Sequence, residues 1–394
     1  MLKTWAMRYI FLFYLFVSFH LTAQDTTTIS LVFMGDIMGH DSQIKSARIG
    51  DSERFDYHSC FKYIKHDIQS ADIAIGNLEV TLAGPPHKGY PAFSSPDTLV
   101  DALKDAGVDA LIMANNHCVD RRKKGLERTL KVLDEKGVPR TGVFKDSLDR
   151  VQHNPMLLEA KGFCLAVLNY TYGTNGIRVQ HPNIVNQIDT GLIARDIELA
   201  RSKNVDEVIV CMHWGWEYHT KPNPEQKKLT RFLWSKGVKV VIGSHPHVVQ
   251  PMELHQNTTG SQMVAYSMGN FISNQRPAPR DGSALAFIEL TKVGDSTYVS
   301  NVEYQLTWVY TPVRNGKKSF YVLPAQRYKN ATWMDTSART RMNAYIGEAH
   351  EVFKSNINVV ERSFRLPPVK LKAKGIVSEA VEPRSMIFTK DSLN

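Results

Sequence analysis

One pattern constrains this chain more than any other: five times, a short apolar run ends and metal-grade side chains follow at once. The runs are LVFMGDIMGH (31–40), ADIAIGNLEV (71–80), VDALIMANNH (108–117), EVIVCMHWGWEY (207–218) and VKVVIGSHPH (238–247). From Ile29 onward such runs alternate with helical stretches, which argues βα units and a mostly parallel α/β sheet. Ligands of open α/β sheets bind in the crevice outside the carboxyl ends of the strands. One crevice is therefore expected to gather Asp36, Glu79, Asn116, His117, His213, His245 and His247. That reads as a metal-dependent hydrolytic site, or a descendant of one.

The residue types suit that chemistry. GSHPH (243–247) sets two imidazoles around a proline at a strand exit, and imidazole is the commonest neutral ligand for Zn, Fe or Mn. His213, one strand earlier, is a third candidate nitrogen ligand. Asp36 and Glu79 supply the hard oxygen ligands that a divalent ion takes beside imidazoles, and Glu79 is placed to bridge two ions. Asn115 and Asn116 must bond something, because a buried unpaired amide costs about 1–3 kcal/mol. His117 is the candidate general acid for a leaving group. Trp214, Trp216 and Tyr218 would wall the site, and Glu217 could orient a ligating histidine.

Punctuation fixes the helices that feed these strands. Ser95, Pro96 and Gly107 predict a helix over 96–106. Asn223, Pro224 and Gly237 predict another over 224–236. Further helices are expected over 121–136, 189–203 and 340–355. After Pro251 the texture changes to antiparallel strands over 263–272, 284–293 and 297–313, which fits a second sheet packed on the first.

The ends of the chain read differently. Lys3 and Arg8, the apolar Tyr9–Phe19 run and Leu21-Thr22-Ala23 have the layout of a secretory signal peptide over 1–23, with an uncleaved membrane anchor as the alternative. Residues 24–28 read as a linker, 29–293 as the main domain, 294–355 as strands and a helix completing it, and 356–394 as a polar tail. The formal charge is +9, scattered rather than blocked, so a solvated basic surface is expected and nucleic acid is not indicated. Cys60, Cys118, Cys164 and Cys211 form no CxxC, and neither a disulfide framework nor a thiolate metal site is expected. The chain has no GxSxG nucleophile elbow, P-loop or GxGxxG.

GDIM (35–38), GNLEV (76–80), ANNHCVD (114–120), HWGWEY (213–218), IGSHPHVVQPME (242–253) and YSMGNFI (266–272) together resemble the CapA family of bacterial capsule synthesis, the poly-gamma-glutamate capsule proteins. The resemblance implies a calcineurin-like metallophosphoesterase fold, a two-sheet β-sandwich flanked by helices. It implies one or two divalent ions (Mn, Fe or Zn) held by Asp36, a bridging Glu79, Asn116, His213, His245 and His247, with His117 as catalytic acid. It also implies work on an anionic surface polymer or its precursor, alongside envelope biosynthesis machinery. Met38 stands where the metallophosphoesterase pattern has a His, with His40 close enough to substitute, and Glu79 replaces the usual bridging Asp. A hydrolase acting on a phosphoryl group, one cutting the amide bonds of a polyglutamyl chain, and a non-catalytic polymer-binding accessory all remain open on the sequence.

Overall fold

The computed structural model describes residues 26–257, 260–314 and 316–363. The leader over 1–23 and the tail beyond 363 lie outside the described residues. Two large sheets build the molecule. The larger one runs, strand by strand, Tyr321–Pro324, Ser296–Tyr310, Gly282–Val293, Thr26–Ile37, Ile73–Leu78, Ala110–Ile112 and Arg140–Thr141. The smaller runs Met252–Asn257, Gly260–Ala265, Val240–Ser244, Glu207–His213, Phe163–Thr171 and Met156–Ala160. In the larger sheet the half from Thr26–Ile37 to the edge strand Arg140–Thr141 is parallel, as the alternating strands and helices require, and the other half is antiparallel. The smaller sheet is parallel at its centre with an antiparallel strand at each edge.

Alternation along single strands shows how the sheets stack. Leu31, Phe33, Ile73 and Ile75 share one core with Leu165, Val167, Ile209, Cys211, Val240 and Ile242 of the other sheet. Their neighbours Val32, Met34 and Ala74 point the opposite way, into a core with Leu99, Leu103, Leu126, Leu130 and Leu133 of two helices. On the far side, Ala166, Leu168, Val208 and Val210 pack on Ile193, Ile197, Leu229 and Leu233. Side chains that alternate faces every residue leave no other arrangement than helices outside and two sheets face to face. The expected two-sheet sandwich flanked by helices is the observed architecture.

Several boundaries move, each for a local reason. The first strand begins at Thr26, because residues 26–28 pair with 291–293 instead of forming a linker. The helix before Gly107 starts at Thr98 and Ser95 does not cap it; the Ser95 hydroxyl has no partner. The strand expected over 263–272 stops at Ala265, because the chain then crosses between sheets. Gly269 O and Ile272 O accept from the backbone N–H groups of Asp36 (2.9 Å) and Met38 (2.9 Å) in the larger sheet. The C-terminal helix spans Thr336–Phe353. Residues beyond it dock rather than trail, for Val360–Glu361 pairs with Glu303 and Tyr304. All four cysteines are free, and among the described residues no helix is long and apolar enough to cross a membrane.

Candidate metal centre

Both sheets deliver their carboxyl ends to one place. Asp36 closes the first strand and Glu79 follows the second, while His213 ends its strand in the smaller sheet and His245 and His247 follow the next one. The sequence suggests one sheet and one crevice; the structure builds the crevice from two sheets. Asn169 ties their ends together. Its Oδ1 accepts from the backbone N–H groups of Met113 (3.0 Å) and Ala114 (2.6 Å) in the larger sheet, and its Nδ2 donates to Cys211 O at 3.2 Å.

Close approach at the first strand demands glycine. A Cβ on Gly35 would lie 1.9 Å from Gly269 O, so only glycine lets the 266–272 crossing reach the Asp36 N–H. Strain is stored nearby as well. Three residues without glycine's freedom have left-handed backbones: Tyr218 (φ 68°), His245 (φ 98°) and His247 (φ 57°). Such conformations cost about 1–3 kcal/mol each and cluster at functional sites.

At the centre lies Glu79, fully buried. Its Oε1 is 3.6 Å from His213 Nε2 and 3.8 Å from His247 Nε2 and accepts no hydrogen bond. Two overlapping groups of ligand atoms, Asp36–Glu79–His213 and Glu79–His245–His247, each lie within 4.8 Å of one another. Glu79 belongs to both groups. Around it, His247 Nδ1 donates to Asp36 Oδ2 (3.0 Å) and Asn77 Nδ2 donates to Asp36 Oδ1 (2.8 Å). Asn116 Oδ1 sits 2.7 Å from His213 Nε2, and Ser244 Oγ fixes His213 Nδ1 at 3.0 Å. Asn115 bonds inward, to Asn77 Oδ1 (3.2 Å) and Leu78 O (2.8 Å).

Burial sets the charge states. It drives the His213 imidazole well below its ordinary pKa and, helped by the neighbouring His247, brings His245 to about 3. Both rings are therefore neutral at pH 7, the form that binds metals. Burial also pushes the Glu79 carboxyl well up, and the Asp36 charge beside it pushes further. For Asp36, burial works against ionisation, yet the bonds and charge of His247 outweigh it and hold the carboxyl below its usual range. A divalent cation fits these residues. Two buried atoms, Glu79 Oε1 and His245 Nδ1, lack partners, and unpaired buried polar atoms are rare unless a ligand meets them.

The other predicted residues fall around this core. His117 Nδ1 bonds Asp120 Oδ2 at 2.8 Å, and its ring meets Phe93 edge-on at 4.7 Å. Asp120 Oδ2 is itself held by the Phe93 N–H at 2.9 Å. His40 belongs to neither ligand group; its Nδ1 accepts from Asn274 N–H (3.2 Å), and burial lowers its pKa to about 4. Glu217 is exposed and bonds Tyr218 rather than a histidine. Of the expected aromatic wall, Trp214 is buried and donates to Tyr266 O at 3.0 Å, and Trp216 faces solvent. Tyr218 stays, 6.1 Å from His247 ring to ring, joined by Tyr172, 4.5 Å from His245. Sequence reasoning missed Tyr172, Asn77, Ser244, Asn169 and Asp120. Asn77 (in GNLE) and Ser244 (in GSHPH) stand inside motifs already singled out, where a polar residue next to a ligand was the available signal.

Residues 30–275 match the family described as bacterial capsule synthesis protein PGA_cap, and the chain belongs to that family. It is similar to the capsule biosynthesis protein CapA of Bacillus anthracis, 26% identical over 287 residues, 69% of this chain and 66% of that one. It is also similar to the PGA biosynthesis protein CapA of Bacillus subtilis strain 168, 27% identical over 283 residues, 68% of this chain and 70% of that one. The chain thus spans just under two thirds of the length of the Bacillus anthracis relative. Similar solved structures include the calcineurin-like phosphoesterase YfkN from Bacillus subtilis, at 13% identity over 83% of this chain and 98% of that one, TM-score 0.45. A phosphatase from Mycoplasma pneumoniae matches at 15% identity over 72% of this chain and 94% of that one, TM-score 0.45.

Proposed function

We propose that this protein is a metal-dependent hydrolase of capsule-polymer biosynthesis, acting outside the cytoplasm on an anionic polymer or its precursor. The observation that carries the reading is Glu79, fully buried, with an unpaired oxygen between two neutral imidazoles. Asp36, Glu79, Asn116, His213, His245 and His247 would hold one or two divalent ions. A bound ion would polarise the scissile group and supply hydroxide at neutral pH. The chain's own residues do the rest. Asp36 fixes the His247 ring, and Ser244 fixes the His213 ring. Asp120 accepts the hydrogen bond from His117 Nδ1–H, and in the imidazolium form of the ring Nε2–H would give its proton to the departing group. Export rests on the Lys3–Ala23 pattern, and the polymer on the names of the relatives.

Elemental analysis of purified protein is expected to give about one or two Mn, Fe or Zn ions per chain. The ions should be lost in a His245→Ala, His247→Ala double variant. Bis-p-nitrophenyl phosphate and poly-gamma-glutamate are then assayed with each metal. A fully metallated protein that turns over neither would overturn hydrolysis and leave a binding accessory.

A further inference from the structure

A charge without a counter-ion lies one aromatic ring away from the site. The Arg280 guanidinium rests on the Tyr218 ring, Cζ 3.3 Å from its centroid, and that ring lies 6.1 Å from the His247 ring. Among the described residues no carboxylate pairs with Arg280, and its Nε is buried without an acceptor. Arg276, four residues earlier, is nearly as isolated. Among the described residues the carboxylate nearest it in an ion pair is Asp281, 3.8 Å away. Both Asp281 oxygens are already taken, by Arg341 (2.9 and 2.7 Å) and by the Trp308 N–H (2.9 Å). Arg276 Nη1 has no partner. Lys318 joins them, 2.7 Å from Asn274 Oδ1 on the same loop. That loop is anchored to the site, since Asn270 Nδ2 donates to His247 O (3.3 Å) and Arg280 O (2.8 Å). Half-buried guanidinium groups are rarely left unpaired, because desolvating a charge costs far more than it returns without a partner.

We propose that Arg280 and Arg276, with Lys318, receive a carboxylate of the substrate chain next to the bond at the metal centre. The inference rests on the hydrolytic reading above and on the anionic polymer proposed there; what it adds is the pair of arginines that would recognise the substrate's charge. A carboxylate suits the two arginines: Arg280 Nε and Arg276 Nη1 each lack an acceptor, while the nearby Asp281 and Glu348 are both bound by Arg341. The planar guanidinium on Tyr218 is pre-oriented for a fork-shaped acceptor.

The test titrates a γ-linked glutamate oligomer and, separately, inorganic tripolyphosphate into the metal-loaded protein. Wild type, Arg280→Gln, Arg280→Lys and Arg276→Gln are compared, with metal content and melting temperature recorded for each. The oligomer is expected to bind wild type and to lose roughly tenfold in affinity or more in Arg280→Gln. Arg280→Lys should fall between, and wild-type binding should weaken with salt. Equal oligomer affinity in wild type and a folded Arg280→Gln would overturn the proposal. So would tripolyphosphate binding more tightly than the oligomer and depending on the same arginines. A wild-type protein that takes up no metal sinks the hydrolytic reading instead, while the dependence of oligomer binding on arginine is still read.

Discussion

At the scale of single residues the site is a problem in buried charge. Asp36 and Glu79 stand together at 0% exposure; His247 and Asn77 hold the Asp36 charge, and a bound cation would hold that of Glu79. Replacing Glu79 with Gln keeps the size and the 3.5 Å contact to Asn77 but removes the charge. Metal affinity is therefore expected to fall more than tenfold, with little change in the melting temperature of the metal-free protein. Elemental analysis after dialysis, beside calorimetry of the apo form, checks both halves. A large apo destabilisation with metal retained would make Glu79 a structural residue. The candidate cluster was legible because each member follows an apolar run directly, a local signal. Asp120 stands inside ANNHCVD, three residues after the His117 that it bonds, so the signal was local but not singled out. Arg280 was not legible: what gives it meaning is the Tyr218 ring across the fold, and no local pattern specifies such a partner.

At the scale of elements, the two helices that feed ligand-bearing strands show what punctuation can and cannot reveal. Asn223 accepts from the Gln226 N–H, the Gln226 side chain returns the bond, and Pro224 opens the helix Pro224–Ser235; all of this is written in four consecutive residues. The Thr98–Ala106 helix has the same outward signature in Ser95-Pro96. Its true N-cap is Asp97, whose carboxylate is taken by Arg128 at 2.7 and 2.8 Å. A tertiary ion pair there overrides the local cap. Asn223→Ala is accordingly expected to cost about 1 kcal/mol, read as a lower urea midpoint with unchanged slope. Because Gln226 also bonds Gln250 at 2.8 Å, a cost well above that would show the cap and the interior network to be coupled. The later strands were legible by alternation. The crossing at 266–272 was not, since its apolar residues are explained by a change of sheet rather than by continued pairing.

At the scale of the whole molecule, the crossover between the two sheets is clamped by ions. Arg140, at the edge of the larger sheet and 2% exposed, holds Asp134 Oδ1 at 2.7 Å and Asp149 Oδ1 at 2.8 Å. Asp149 sits on the helix Ser147–His153 that leads into the smaller sheet. Burial disfavours its charge, but bonds from His153, Arg140 and the Lys145 N–H outweigh this and hold the carboxyl far below the usual range. In the unfolded chain it protonates near its ordinary value of about 3.9. The unfolded state therefore binds the extra proton first. The stabilisation is complete at neutral pH, begins to fail as pH drops through about 5, and continues to fall towards the folded pKa. Wild-type urea midpoints should decline steeply across that acid range. Asp149→Asn should start lower at pH 7 by about 2 kcal/mol, the worth of a hydrogen bond to a charged group, and decline less steeply. Parallel curves for the two proteins would mean that other carboxylates, Asp72 with Lys161 at 2.8 Å among them, govern acid unfolding, and that the Arg140 clamp between the sheets does not.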